Sequence, residues 1–393
     1  MEKRKKPRIR FKGFSDDWEQ RKLGACFEER CENMPDGELI SVTISDGIKK
    51  FSELGRHDNS NQDKSKYKKV CIGDIAYNSM RMWQGASGYS PFEGIVSPAY
   101  TVLKPNVNIN SKCVSYLFKR QDMIHVFQLN SQGITSDNWN LKFPALSQIA
   151  VSLPGDIKEQ SRIATYFSNI DTLITLHQRK LEKLKIIKKS MLEKCFPKKG
   201  EKVPKIRFSG FTDDWEQRKL GDIFEEYSEK GFSDLPALTI IQGEGTIKRE
   251  DSDRSLKYDK ASLLKYKLVK KGDFIVHLRS FEGGLEISKN IGVVSPAYHT
   301  FYGEGTDSTF YYWHFRSDDF IDIALKPHVY GIRDGRSINI EGMKTIKIPW
   351  TTLDEQSRIG NLIKCINRLI TLHQSKLEKL QKIKKSMLER MFV

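Results

Sequence analysis

Apolar residues recur at alternating steps of four and three from residue 157 to about 196, and again from 353 to 392. Gly is almost absent from both runs and Pro does not interrupt them. Ile163, Phe167, Ile170, Ile174, Leu181, Leu184 and Met191 form the first stripe; Ile359, Ile363, Ile366, Ile370, Leu377, Leu380 and Met387 form the second. This heptad spacing predicts two long helices, each extending roughly 50 Å if continuous. Asn169 and Asn367 mark where each could instead break into a short and a long helix. His177, His373, Lys188 and Lys384 sit on the stripes, where polar residues cost stability but fix register and partner. Two stripes in one chain predict antiparallel pairing with each other. Self-association with a second copy, or burial on a domain surface, are the competing readings.

Elsewhere the pattern is different. Residues 11–154 and 208–349 are rich in Gly, Asn, Ser and aromatics, with short apolar runs at 70–76, 96–103, 274–278 and 345–348 bounded by turn residues. These runs predict short strands, and helices are expected at 114–129 and 309–325. The expected fold class is α+β: two tandem mainly-β or mixed domains, each followed by a long helix. The corresponding boundaries are 1–154, 155–200, 201–350 and 351–393.

The chain repeats itself. Gly13-Phe14-Ser15-Asp16-Asp17-Trp18-Glu19-Gln20-Arg21-Lys22-Leu23-Gly24 returns at Gly210 to Gly221 with only Ser changed to Thr. Val96-Ser97-Pro98-Ala99-Tyr100 returns at 294–298, Glu159-Gln160-Ser161-Arg162-Ile163 at 355–359, and Leu173-Ile174-Thr175-Leu176-His177-Gln178 at 369–374. The segments between these anchors hardly match. A duplicated frame with two different fillings suits a protein that reads two different things.

Composition sharpens this. The 393 residues carry 66 Lys and Arg against 50 Asp and Glu, a formal net charge of +16 with a pI near 9.4. The excess is spread over both halves, which suits a polyanion such as nucleic acid. The six cysteines do not repeat between halves and form no Cys-x-x-Cys pair, so reduced packing residues in a cytoplasmic protein are expected, with no metal site. The charged start and the lack of a long apolar run predict neither a signal peptide nor a membrane span. Catalytic signatures are missing: there is no phosphate-binding Gly-x-x-x-x-Gly-Lys-Ser/Thr loop. Ser97-Pro98-Ala99-Tyr100 only faintly resembles an adenine methyltransferase tetrapeptide, and no glycine-rich cofactor loop accompanies it. Its Pro is expected to shape a strand start and its Tyr to pack. Trp18 and Trp215, each after an Asp pair that would repel phosphate, are expected to anchor cores.

The repeated Trp-Glu-Gln-Arg-Lys-Leu-Gly opening, the Leu153-Pro154 and Ile348-Pro349 steps, the Glu-Gln-Ser-Arg-Ile pair and the helices through Leu184 and Leu380 together resemble the Type I restriction–modification specificity subunits. The resemblance covers essentially the whole chain. It implies that each globular domain reads one half of a split, asymmetric site on double-stranded DNA, and that the helices set the gap. It implies partners as well: two modification subunits carrying S-adenosylmethionine, and restriction subunits using ATP and Mg. No cofactor is expected in this chain, and no catalysis of its own. A basic coiled-coil scaffold without DNA preference and a self-contained methyltransferase or nuclease are the alternatives from other classes.

Base-reading residues belong to the fillings, beyond the reach of family motifs. One candidate loop follows a strand-like run in each half, with Asn78, Arg81, Trp83 and Gln84 in the first copy and His277, Arg279 and Ser280 in the second. A second loop precedes the last strand, with Thr135 and Asn138, then Arg333 and Arg336. Arg pairs with guanine O6 and N7, and Asn or Gln with adenine N6 and N7, in the major groove. Lys64, Lys66, Lys68, Lys69 and Lys265, Lys267, Lys270, Lys271 precede the first loops and are expected to touch phosphates without specifying sequence.

Overall fold

The computed structural model describes residues 6–44, 47–58, 60–135, 138–198, 200–252, 260–277, 279–331 and 336–393. The chain divides into two compact units, one of residues 1–178 and 375–393, the other of residues 179–374.

The first unit is built on a four-stranded antiparallel sheet, in spatial order Phe27–Glu29, Tyr100–Pro105, Ile75–Asn78 and Ser87–Tyr89. Three two-stranded pairs surround it: Glu19–Lys22 with Ala150–Leu153, Ile40–Thr43 with Gly47–Lys50, and Lys68–Val70 with Gly94–Val96. The apolar runs at 70–76 and 96–103 are therefore not single strands. Each is cut by a turn, at residues 71–74 and 97–99. In the first turn the Asp74 carboxylate accepts from Cys71 N at 2.7 Å and pairs with Arg30. In the second, Tyr100 N donates to Ser97 O at 3.0 Å across Pro98, and Tyr100 opens the next strand, as expected.

The second unit repeats this sheet as Glu225–Tyr227, His299–Tyr302, Phe274–Val276 and Glu286–Ile287, with the pairs Glu216–Lys219 with Lys347–Trp350, Leu238–Ile241 with Gly245–Lys248, and Lys267–Val269 with Gly292–Val294. Asp273 plays the part of Asp74, accepting from Lys270 N at 2.6 Å, but its side-chain partner is the Tyr227 hydroxyl.

The helix expected at 114–129 is two helices, Ser111–Leu117 and Gln121–Leu129. Arg120 between them is extended, at ψ 146°. Its buried guanidinium bonds Asp122 and donates to Val393 O at 2.9 Å. The helix expected at 309–325 is likewise split, into Ser308–His314 and a π-helical stretch Asp319–Leu325. There Ser317 Oγ accepts from Phe320 N at 3.2 Å and starts the second segment.

The two long helices span Ile157–Lys194 and Leu353–Met391 without a break. Asn367 does not interrupt its helix; its side chain donates back to Ile363 O at 3.0 Å. In the first unit Ile163 and Phe167 pack with Leu388, Met391 and Phe392 around Trp18, Phe27, Phe118 and Phe127. Phe167 stacks on Phe392, and Asp171 holds Lys384 at 2.5 Å. Residue numbers thus rise on one helix as they fall on the other, so these two segments run antiparallel. In the second unit Cys195 and Phe196 join Ile359 and Ile363 around Trp215, Phe224, Phe310 and Phe315.

The seam lysines dock on equivalent aromatics. Lys384 lies over Tyr116 at 5.6 Å, and Lys188 lies over Trp313 at 4.4 Å, where burial lowers its pKa. Such cation–π contacts recover part of the cost of placing a charge on an apolar face.

The repeated sequence anchors are internal fasteners. Glu159 is 1% exposed and binds Arg10 through two bonds of 2.7 and 2.8 Å. Glu355, 0% exposed, binds Arg207 at 2.7 and 2.9 Å. The neighbouring glutamines tie down the segments that lead into the short helices: Gln160 accepts from Asn110 N at 2.8 Å, and Gln356 from Asp307 N at 3.0 Å. Trp18 and Trp215 are core residues at 5% and 3% exposure. Cys26, Cys113 and Cys195 are buried, whereas Cys31 and Cys365 are exposed and so do not pack. No helix among the described residues is long and apolar enough to cross a membrane.

Candidate nucleic-acid interface

In the first unit the strand Ile75–Asn78 runs directly into the first loop. Asn78 Oδ1 accepts from Met80 N at 3.0 Å, and Arg81 N donates to Asn78 O at 2.9 Å, so the chain turns at once. Met82 is buried beneath the loop while Arg81 stands exposed on it. Gly85 closes the turn at φ 84°, a conformation that suits residues without a Cβ. Trp83 and Gln84 are half-buried. Trp83 Nε1 donates to Met80 O at 3.0 Å, and its ring meets Trp139 edge-on at 5.2 Å. This contact joins the first loop to the second. Thr135 and Asn138 are exposed there and bonded to each other, Asn138 N to Thr135 O at 3.0 Å.

The second unit joins its loops by a different contact: Arg336 lies over the Phe281 ring at 5.0 Å. Arg279 is exposed and pairs with Glu282 at 3.5 Å. Ser280 is fully buried, and its Oγ accepts from His277 N at 2.9 Å. It therefore shapes the loop from inside rather than lining its face. His277 is half-buried against Tyr298, and its Nδ1 accepts from Arg279 N at 3.2 Å. Burial first, then the charges of Arg316 and Arg279, push its pKa down to about 4. Arg333 lies outside the described residues.

The lysines nominated for phosphate contact are largely engaged within the protein. Lys68 reaches Glu29 at 3.3 Å, Lys69 reaches Glu32 at 3.6 Å and Lys270 reaches Glu229 at 3.7 Å. Lys267 donates to Tyr298 O at 2.6 Å, and burial lowers its pKa. Lys66, Lys265 and Lys271 are exposed. Exposed ion pairs are weak, so exposed Lys270 can exchange its carboxylate for a phosphate at little cost. Half-buried Lys267 cannot.

Both units contain a feature that the sequence reading passed over. The hairpins Ile40–Thr43/Gly47–Lys50 and Leu238–Ile241/Gly245–Lys248 lie across the strand that follows the first loop. A Cβ on Gly88 would meet Ile48 N at 2.8 Å, and one on Gly245 would meet Ile287 O at 2.5 Å. The signal was present: β-branched residues on either side of Asp46-Gly47, and of Gln242-Gly243-Glu244, are a hairpin pattern. No cluster of three or more His, Cys, Asp or Glu able to hold a metal occurs among the described residues.

Comparison with known proteins agrees with this architecture. Residues 15–186 match the Type I restriction modification DNA specificity domain. The chain is 25% identical over 356 residues to the Type I restriction enzyme MjaVIII specificity subunit of Methanocaldococcus jannaschii, covering 82% of this chain and 81% of that one. It is 23% identical over 379 residues to a protein of the same organism assigned to the MjaX type I restriction enzyme as its specificity subunit, covering 88% and 84%. The crystal structure of a Type I restriction–modification S subunit from M. genitalium shares the fold, with a TM-score of 0.61 at 13% identity and 99% of both chains covered. The matched domain in the first half and the similarity along most of the chain make this protein similar to Type I restriction–modification DNA specificity subunits.

Proposed function

We propose that the two repeats read the two halves of a bipartite, asymmetric DNA target, with residues 1–154 and 201–350 as the recognition domains. The observation that carries this reading is one frame presenting two unlike surfaces. Arg81, Trp83, Gln84, Thr135 and Asn138 gather on the first, and His277, Arg279 and Arg336 on the second. Equivalent positions with different hydrogen-bonding groups select different bases. The chain supplies specificity rather than catalysis, and a scaffold indifferent to DNA sequence would have no use for paired, divergent loops.

Residues 155–200 and 351–393 then serve as spacer and docking helices. Leu173 and Leu176 on the first, and their counterparts Leu369 and Leu372 on the second, are exposed. Equivalent apolar patches support two equivalent docking sites, which two modification subunits carrying S-adenosylmethionine would occupy. Restriction subunits using ATP and Mg would join through that complex, in the cytoplasm where the DNA lies.

Single-molecule sequencing of methylated adenine tests the reading in cells carrying the full complex. Arg81→Ala is expected to relax or abolish one half-site and Arg279→Ala the other; loss spread evenly over both half-sites from either variant would refute the assignment. Inserting seven residues at equivalent points of both helices is expected to change the gap and leave both half-sites intact. An altered half-site would end the spacer role. Affinity of the purified complex should fall steeply between 50 and 200 mM salt, as phosphate-dominated binding does.

A further inference from the structure

The hairpins that the sequence reading passed over are locked to the first loops in both units, by different chemistry at the same position. In the second unit the lock is Glu286, fully buried on the strand after the loop. Its carboxylate accepts from Gly243 N at 2.7 Å, Gly245 N at 3.2 Å and the Tyr312 hydroxyl at 3.0 Å, and it pairs with Arg316. Two of these four donors are the backbone of an exposed hairpin tip. Burying a carboxylate is costly unless its hydrogen bonds are complete, so the arrangement fixes the tip rather than merely tolerating it. In the first unit the residue equivalent to Arg316 is Lys119; both directly follow the Phe that ends the short helix. Lys119 Nζ donates to Ile44 O at the hairpin end at 3.2 Å and to Gly85 O at the loop end at 2.7 Å. One cation there bridges hairpin and loop directly. In the second unit the cation acts through Glu286.

At the second tip Gln242 is exposed, and its side chain reaches over the first loop. A Cβ built on Gly283 would lie 1.8 Å from Gln242 Nε2. Gln242 thus lies against the loop that carries Arg279 and whose Phe281 ring lies under Arg336, with an amide that can pair with adenine N6 and N7. We propose that the hairpin tip at residues 242–245 is a third reading element of the second repeat, with Gln242 as its base-contacting side chain. Glu286 with Arg316, and Lys119 in the first repeat, are the positioning residues that hold hairpin and loop as one unit. The proposal rests on the reading that the joined loops face DNA.

The test uses the assembled complex with Gln242→Ala, Arg279→Ala and Lys119→Met, followed by adenine-methylation sequencing and by binding to targets with single base changes. Gln242→Ala is expected to lower discrimination at one base pair of the second repeat's half-site by on the order of 10- to 100-fold, the span of a lost bidentate base contact. The other half-site and the melting temperature should not move. Lys119→Met keeps the aliphatic stem and is expected to blur only the first repeat's half-site. Full discrimination in Gln242→Ala, with Arg279→Ala relaxed, would overturn the hairpin and leave the loops standing. Full discrimination in both would show that the whole surface is misplaced. If Lys119→Met fails to fold, the exposed Gln242 still decides.

Discussion

Replacing Glu355 by Ala is expected to destabilise the second unit by about 3–5 kcal/mol, the range seen when one member of a buried ion pair is removed. The carboxylate has no exposed surface and answers four donors: two from Arg207, Trp215 Nε1 at 3.0 Å and the Thr351 hydroxyl. Truncation leaves a nearly buried guanidinium, an indole N–H and a hydroxyl without their acceptor, and each carries its own desolvation cost. Glu159→Ala should cost the first unit less. There Gly155 stands where the second copy has Thr351, and Trp18 Nε1 has no hydrogen-bond partner among the described residues. Only the Arg10 pair is lost. Hydrogen exchange resolved by peptide is the measurement, because two units need not unfold together. Faster exchange confined to peptides of the second unit is expected for Glu355→Ala. Equal acceleration in both units, or none, would contradict the account.

This pair also shows what the sequence revealed and what it hid. Glu159 and Glu355 were visible as repeated anchors, and so were Arg10-Phe11 and Arg207-Phe208. That each arginine meets each glutamate across nearly 150 residues could not be read from local pattern, because ion pairing has no period. The long helices were legible because a heptad stripe is a local signal repeated many times. Their continuity was less so: an Asn in a helix can break it or bond back to the preceding turn, and Asn367 does the latter. The split of 114–129 was illegible for a related reason. Every residue there tolerates a helix, and Arg120, where the backbone is extended, is fastened to distant Val393 and locally to Asp122.

The candidate surface was legible as loops and not as atoms. Turn residues located both loops in each half, but the Trp83–Trp139 and Arg336–Phe281 contacts that join them depend on side chains brought together from distant segments. Burial was the other hidden quantity. Ser280 looks like a polar loop residue in sequence, yet it lies beneath the loop with its hydroxyl engaged by His277 N. The hairpins have only a short signal, β-branched residues flanking Asp46-Gly47 and Gln242-Gly243-Glu244, while the segment before each first loop is dominated by its lysines.

The second large effect is acid sensitivity confined to the second unit. His277 and His314 titrate at about 4 and about 3, against an ordinary value of 6.5. For His277 the cause is burial, then the neighbouring Arg316 and Arg279; for His314 it is burial alone, among the rings of Phe196, Phe315 and Phe320. Folded-state pKa values depressed below the unfolded one mean that the unfolded chain binds more protons as pH falls. The stability is fully present above about pH 6.5 and is lost on the way down toward the folded values. By pH 5 each histidine accounts for about 2 kcal/mol of loss. Glu286 and Asp273, whose carboxyl pKa values burial raises, act in the opposite sense. They take up protons earlier in the folded state and offset part of the loss at the acid end, so the clearest window is pH 6.5 to 5. In the first unit His57 and His125 are exposed and His177 is half-buried. Exchange at pH 7.5 and pH 5 is therefore expected to show selective opening of the second unit, and His277→Gln should remove roughly half of that pH slope. Because His277 sits inside the loop proposed to read bases, discrimination at the second repeat's half-site is expected to fade over the same window while that of the first repeat is kept. Parallel loss at both half-sites, or an unchanged slope in His277→Gln, would mean that acid acts elsewhere.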